Sequence, residues 1–145
     1  MIEIIYPPYF LGKWRLKNLQ KKVYYATQLL KLQDKKVTLT LCNDIKMQKL
    51  NNQYRHIDKT TDVLSFNLDF IDPQLNVIYL GDIVISLQTA QKQAKERHHT
   101  LEDEIVFLFI HGLLHLVGHD HETAIDKKKM FALQEEIFKQ IKEMK

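Results

Sequence analysis

At 145 residues the chain is long enough for one hydrophobic core and is read as a single domain over 1–145. Its 45% hydrophobic and 27% charged residues exclude extended disorder, and its lone cysteine, Cys42, excludes an intrachain disulfide, which fits a reducing cytoplasm. A net charge of +3 favours an acidic partner such as RNA only weakly and excludes a strongly basic polyanion binder.

Residues 2–6 form a short apolar run that Pro7 and Pro8 terminate, the pattern of a strand, and the N-terminus lacks the basic and apolar regions of a signal peptide. Over 13–32, Leu16, Leu19, Val23, Ala26, Leu29 and Leu30 recur at helical spacing, predicting an amphipathic helix with lysines outward. Residues 36–41 alternate as a strand that Cys42 closes, its thiol buried. Asn43 is placed to cap a helix carrying Ile45, Leu50 and Tyr54. A polar loop spans 55–62, a strand 63–66, a turn forms at Asp72-Pro73, and another strand covers 78–86. Gly81 in that strand marks a bulge or a close approach of backbone. A helix is expected over 87–97.

Thr100 and Asp103 resemble a capping box, with acids in the first turn of a helix that is apolar nearly all round from Ile105 to Val117. Such a helix belongs in the middle of a domain, and its apolar run 105–110 is too short to cross a bilayer. Gly118 is suited to end it. A last amphipathic helix from about 123 turns Met130, Leu133, Ile137 and Ile141 inward. Strands and helices do not alternate strictly, so the expected class is α+β: a small mixed sheet packed with helices around that buried central helix.

Seven histidines stand in this chain, and the informative ones follow the apolar run. His111 and His115 lie four apart, on one helix face, with Cβ atoms roughly 5–6 Å apart, so both imidazoles can converge on one ion. Two buried imidazoles without polar neighbours on their helix would otherwise each cost a few kcal/mol. The turn at Gly118 can return His121 to the same ion, and His119 is the alternative third ligand. Three protein ligands leave a fourth tetrahedral position for water, the arrangement of a catalytic zinc site with one ion per chain. Asp120 can orient a ligand ring or cap the turn. The spacing resembles the metzincin pattern H-E-x-x-H-x-x-G-x-x-H, but Gly112 replaces the glutamate that serves peptidases as general base, which demotes a metalloprotease-like hydrolase.

Three blocks together resemble the YbeY family of bacterial endoribonucleases: Asn51–Tyr54–Arg55–Asp58–Thr61–Asp62–Val63–Leu64–Ser65–Phe66, then Gly81–Asp82–Ile83–Ile85–Ser86, then His111–Gly112–Leu114–His115–Leu116–Gly118–Asp120–His121. His119 stands where that family commonly has an aromatic, and Asn67 where it commonly has proline. The resemblance implies a zincin-like, zinc-dependent, single-strand-specific endoribonuclease acting in 3′-end maturation of small-subunit (16S) rRNA and late-stage 70S ribosome quality control. It implies His111, His115 and His121 as zinc ligands, Arg55 as a catalytic residue, cytoplasmic location, and partners limited to single-stranded RNA, the small ribosomal subunit and its factors, without membrane or DNA. A guanidinium suits that place because it can grip two phosphate oxygens and stabilise charge at phosphorus. The nucleophile stays open between a metal-activated water and the 2′-hydroxyl of the RNA. Asp58 and Asp62 are expected to brace the loop, Asp82 to make a buried hydrogen bond, and lysines 21, 22, 35, 36, 46, 49 and 59 to form a solvated face or an RNA-tracking surface. The alternatives are the metalloprotease-like hydrolase and a non-catalytic ribosome-associated zinc module.

Overall fold

The computed structural model describes residues 1–8, 10, 16–119 and 122–144. Along the chain run β1 (Ile2–Ile5), α1 (Leu19–Leu29), β2 (Lys36–Cys42), α2 (Asp44–Arg55), β3 (Val63–Asp72), β4 (Val77–Ser86), α3 (Leu87–Glu96), α4 (Leu101–Leu116) and α5 (Ala124–Lys142). Among the described residues the strands form one sheet in the order β1-β2-β4-β3. β1 and β4 each pair parallel with β2, and the β3–β4 hairpin adds the antiparallel edge, so the sheet is mixed and the class α+β.

Strand alternation sends side chains to two different cores. Val37, Leu39, Leu41, Leu80, Ile83 and Ile85 face α4, which also packs against α1, α3 and α5. On the opposite face Cys42, Leu64 and Val84 meet Met47 and Leu50 of α2. α4 lies between sheet and helices, and Ile105, Phe109, Ile110, Leu113 and Leu114 on it are 0% exposed. Each contributes roughly 1.5–3 kcal/mol by leaving water. Its start is fixed by Thr100, whose Oγ1 accepts from Asp103 N at 3.0 Å, with Glu102, Asp103 and Glu104 in the first turn. Its end comes at Gly118 (φ +100), where Gly118 N donates to His115 O at 3.1 Å and His119 N to Leu114 O at 3.0 Å. Only glycine adopts that backbone without strain.

Gly81 has the tight surroundings its place in a strand suggests. Lys36 pairs with Tyr79 and Val37 with Gly81, so Leu80 is an extra residue that bulges β4. A Cβ at 81 would run into the Phe66 carbonyl and come within 2.9 Å of the Leu116 side chain.

Two elements differ from expectation, and a third shows which of its faces turns inward. α1 begins at Leu19 instead of near 13; residues 16–18 are not helical, and 11–15 lie outside the described residues. β3 continues past Phe66 to Asp72, because pairing with β4 resumes beyond a register shift between Asn67 and Phe70. α2 does not bury Ile45 or Tyr54, which are 66% and 57% exposed; Met47 and Asn51 face inward instead. Asn51 is tolerated there because its Nδ2 donates to Lys59 O at 2.9 Å, pinning the loop that follows α2. No helix among the described residues is long and apolar enough to cross a membrane.

Candidate active site

His111 and His115 sit one turn apart on α4, their ring centroids 4.8 Å apart and tilted by 76°. Both are only partly buried, so this part of the helix meets solvent while its neighbours are sealed. α5 supports His111 from behind. Phe131 lies against its ring (6.1 Å, 28°), and Gln134 meets its Nδ1 at 3.2 Å.

The two imidazoles open into a cleft of about 180 Å³ that is also lined by Arg55, Thr61, Asp62, Val63, Ser65 and Gly112. Arg55 closes the last turn of α2, where a helix C-terminus favours a cation, and His56 in the left-handed region turns the chain away. Among the described residues the guanidinium of Arg55 forms no ion pair. The loop after it is braced: Gln48 Nε2 donates to Asp58 Oδ1 at 3.0 Å, and Asp62 accepts from Val63 N at 2.7 Å and from Gln93 Nε2 at 3.2 Å. Asp44 gathers donors from Thr60, Ser86 and Thr89. Burial alone would raise its pKa, but these hydrogen bonds outweigh burial and hold it below the ordinary carboxylate range. Asn67 Nδ2 donates to Leu116 O at 3.1 Å, tying β3 to the end of α4. A proline at 67 has no such donor, so the departure from the family pattern adds a tether beside the histidines.

The fold therefore brings Arg55, His111 and His115 together, and their chemistry, paired imidazoles facing a cation across a polar cleft, fits a divalent metal beside an anionic substrate. Among the described residues no group of three histidine, cysteine or carboxylate side chains gathers around one point. His121 and Asp120 lie outside the described residues. His119 borders a different hollow with Gly118, Asp126 and Lys129. Asp82 accepts from the Tyr79 hydroxyl, a half-buried hydrogen bond instead of a fully buried one. Burial pushes the Cys42 thiol up to about 11, in keeping with an inert strand-end cysteine. Of the lysines, Lys22 is held by Glu102 and Asp103 (3.7 and 3.6 Å), and Lys36 by Glu3 and Asp72 (both 3.8 Å), which removes them from any tracking surface. Thr61 and Ser65 stand in the first motif block but were given no place in the site, and Gln134 was not singled out, its one signal being an amide among the inward positions of α5.

Comparison with known proteins identifies the family. Residues 12–142 match the family model described as Endoribonuclease YbeY. A protein of Nautilia profundicola named Endoribonuclease YbeY is 49% identical over 110 residues, covering 76% of this chain and 75% of that protein. One of the same name from Heliobacterium modesticaldum is 45% identical over 118 residues, covering 74% and 70%. A Thermotoga maritima protein solved in solution superposes with a TM-score of 0.65 at 31% identity, covering 97% of this chain and 89% of that one. With the fold shared and the match spanning nearly its whole length, the chain belongs to the YbeY endoribonuclease family.

Proposed function

We propose that the protein is a zinc-dependent, single-strand-specific endoribonuclease that works in 3′-end maturation of small-subunit rRNA and late-stage 70S ribosome quality control. His111, His115 and His121 hold one zinc ion, and Arg55 grips the phosphodiester. The observation that carries the reading is the cleft itself, which joins a guanidinium at the end of α2 to two imidazoles on α4. When bound, zinc supplies Lewis acidity at the phosphodiester. Arg55 holds the phosphate through two N–H donors, orients it toward the histidines, and offsets negative charge developing on its oxygens. Small-subunit rRNA as substrate and the ribosome as partner rest on the family resemblance alone.

A peptidase reading loses further ground at Gly112. Gly112 lines the cleft, but a Cβ there would come within 2.9 Å of Ile83, so a larger side chain in place of the peptidase general base would meet the packed sheet.

The test pairs metal analysis with cleavage. Wild type should carry about one zinc per chain and cut single-stranded RNA in preference to duplex. His115→Ala and His121→Ala should lose the metal and the cutting together. Cells lacking the protein should accumulate small-subunit rRNA with an unprocessed 3′ end. Metal-free wild type with full nuclease activity would refute the zinc dependence.

A further inference from the structure

We infer that Gln134, which lies outside every motif above, selects the tautomer of His111 and aims its Nε2 lone pair at the cleft. The inference deepens the reading of His111 as a metal ligand and rests on it for its purpose. Its geometry stands independently.

Gln134 is 1% exposed, so both ends of its amide need partners inside the protein. Its Nε2 lies 3.1 Å from Phe107 O and its Oε1 3.2 Å from His111 Nδ1. A main-chain carbonyl only accepts, so the amide nitrogen must face Phe107 and the amide oxygen must face His111. That oxygen in turn only accepts, so the hydrogen between them belongs to His111 Nδ1. A neutral imidazole has one N–H; with it on Nδ1, the lone pair resides on Nε2 at the other edge of the ring. Phe107 is one turn before His111 on the same helix, so α4 itself holds the two anchor points at fixed spacing. Phe131, three residues before Gln134 on α5, rests against the ring and limits its tilt. The imidazole is thus oriented before any ion arrives. Ligand histidines commonly owe their tautomer to such a partner.

The full chain, stripped of metal and labelled with ¹⁵N, reports the tautomer directly through long-range proton–nitrogen correlation at about pH 8, above the ordinary imidazole range. Wild-type His111 should carry its hydrogen on Nδ1. In Gln134→Leu the ring should shift toward the Nε2–H form, and zinc affinity by chelator competition should fall roughly 10–100-fold. Gln134→Glu keeps an acceptor toward His111 and should return the hydrogen to Nδ1, at a cost in stability because its second oxygen meets the Phe107 carbonyl without a hydrogen to donate. Circular dichroism checks the fold of each variant; should Gln134→Leu not fold, the wild-type tautomer and Gln134→Glu decide. A wild-type hydrogen on Nε2 overturns the inference, as does a folded Gln134→Leu with unchanged tautomer and zinc affinity. A tautomer that follows Gln134 in a wild type that binds no zinc upholds the inference and overturns the zinc reading instead.

Discussion

Arg55 shows how little a residue's own neighbourhood says about its use. It is exposed, sits in the last turn of α2 and has no ion pair among the described residues. Its interest comes from what stands across the cleft. Arg55→Ala should lower the rate of RNA cleavage roughly 10²–10³-fold, the usual cost of removing one charge-stabilising donor, while leaving thermal stability and zinc content unchanged. Arg55→Lys keeps the charge but not the planar fork, so it should recover only part of the rate. A single-turnover assay on single-stranded RNA measures both. Asp44 makes the opposite point, since its direct hydrogen-bond partners account for its state. Its folded pKa is depressed because hydrogen bonds from Ser86, Thr89 and Thr60 outweigh burial. A depressed carboxylate stabilises the fold at pH values above its unfolded pKa, about 3.9, and that contribution is lost as pH falls through the folded value. Denaturant melts should therefore show wild type losing stability below about pH 4, with Asp44→Asn weaker at neutral pH and flatter across that acid range.

At the scale of elements, α4 owes its position to two close approaches that no periodicity announces. Gly112 lets it lie against Ile83, and Gly81 lets β4 bulge beneath the Phe66 carbonyl and Leu116. The two should differ in cost. At Gly112 an added methyl meets the branch carbons of the buried Ile83 side chain, so Gly112→Ala should cost about 1–3 kcal/mol by urea unfolding. At Gly81 the obstacle is backbone, which cannot swing aside, so Gly81→Ala should cost more and loosen the β3 edge in amide exchange. α4 and the flanking strands were legible because burial on all sides leaves an unbroken apolar run in α4, and a half-buried strand leaves alternation. The far half of β3 was not. Residues 67–72 mix polar and apolar residues at a sheet edge, and only their pairing with β4 makes them strand. α2 was found through its Asn43 cap, but which of its faces turns inward was not legible, because Ile45 and Tyr54 are apolar residues left outside while Asn51 is buried and satisfied by the loop.

Across the whole molecule the metal and the fold should be linked. A ligand that binds only the folded state raises stability by mass action, about 2.7 kcal/mol at a hundredfold excess over its Kd. Added zinc should therefore raise the thermal midpoint of metal-stripped wild type in a concentration-dependent manner, and His115→Ala should show no such rise. A midpoint indifferent to zinc would count against a built metal site.

The separation between what sequence settles and what folding settles follows from the range of each interaction. His111 and His115 share a helix, so their spacing alone places both rings on one face, and family membership is legible because the three motif blocks keep their order and identity in the chain. No local rule brings Arg55 from the end of α2 to that face, or sets a buried glutamine of α5 behind His111. Those juxtapositions exist only because the mixed sheet carries β3 and its loop to one side of α4 and because α5 packs on the other. Covalent spacing decides which groups on one element act together, whereas the packing of separate elements decides what they act with.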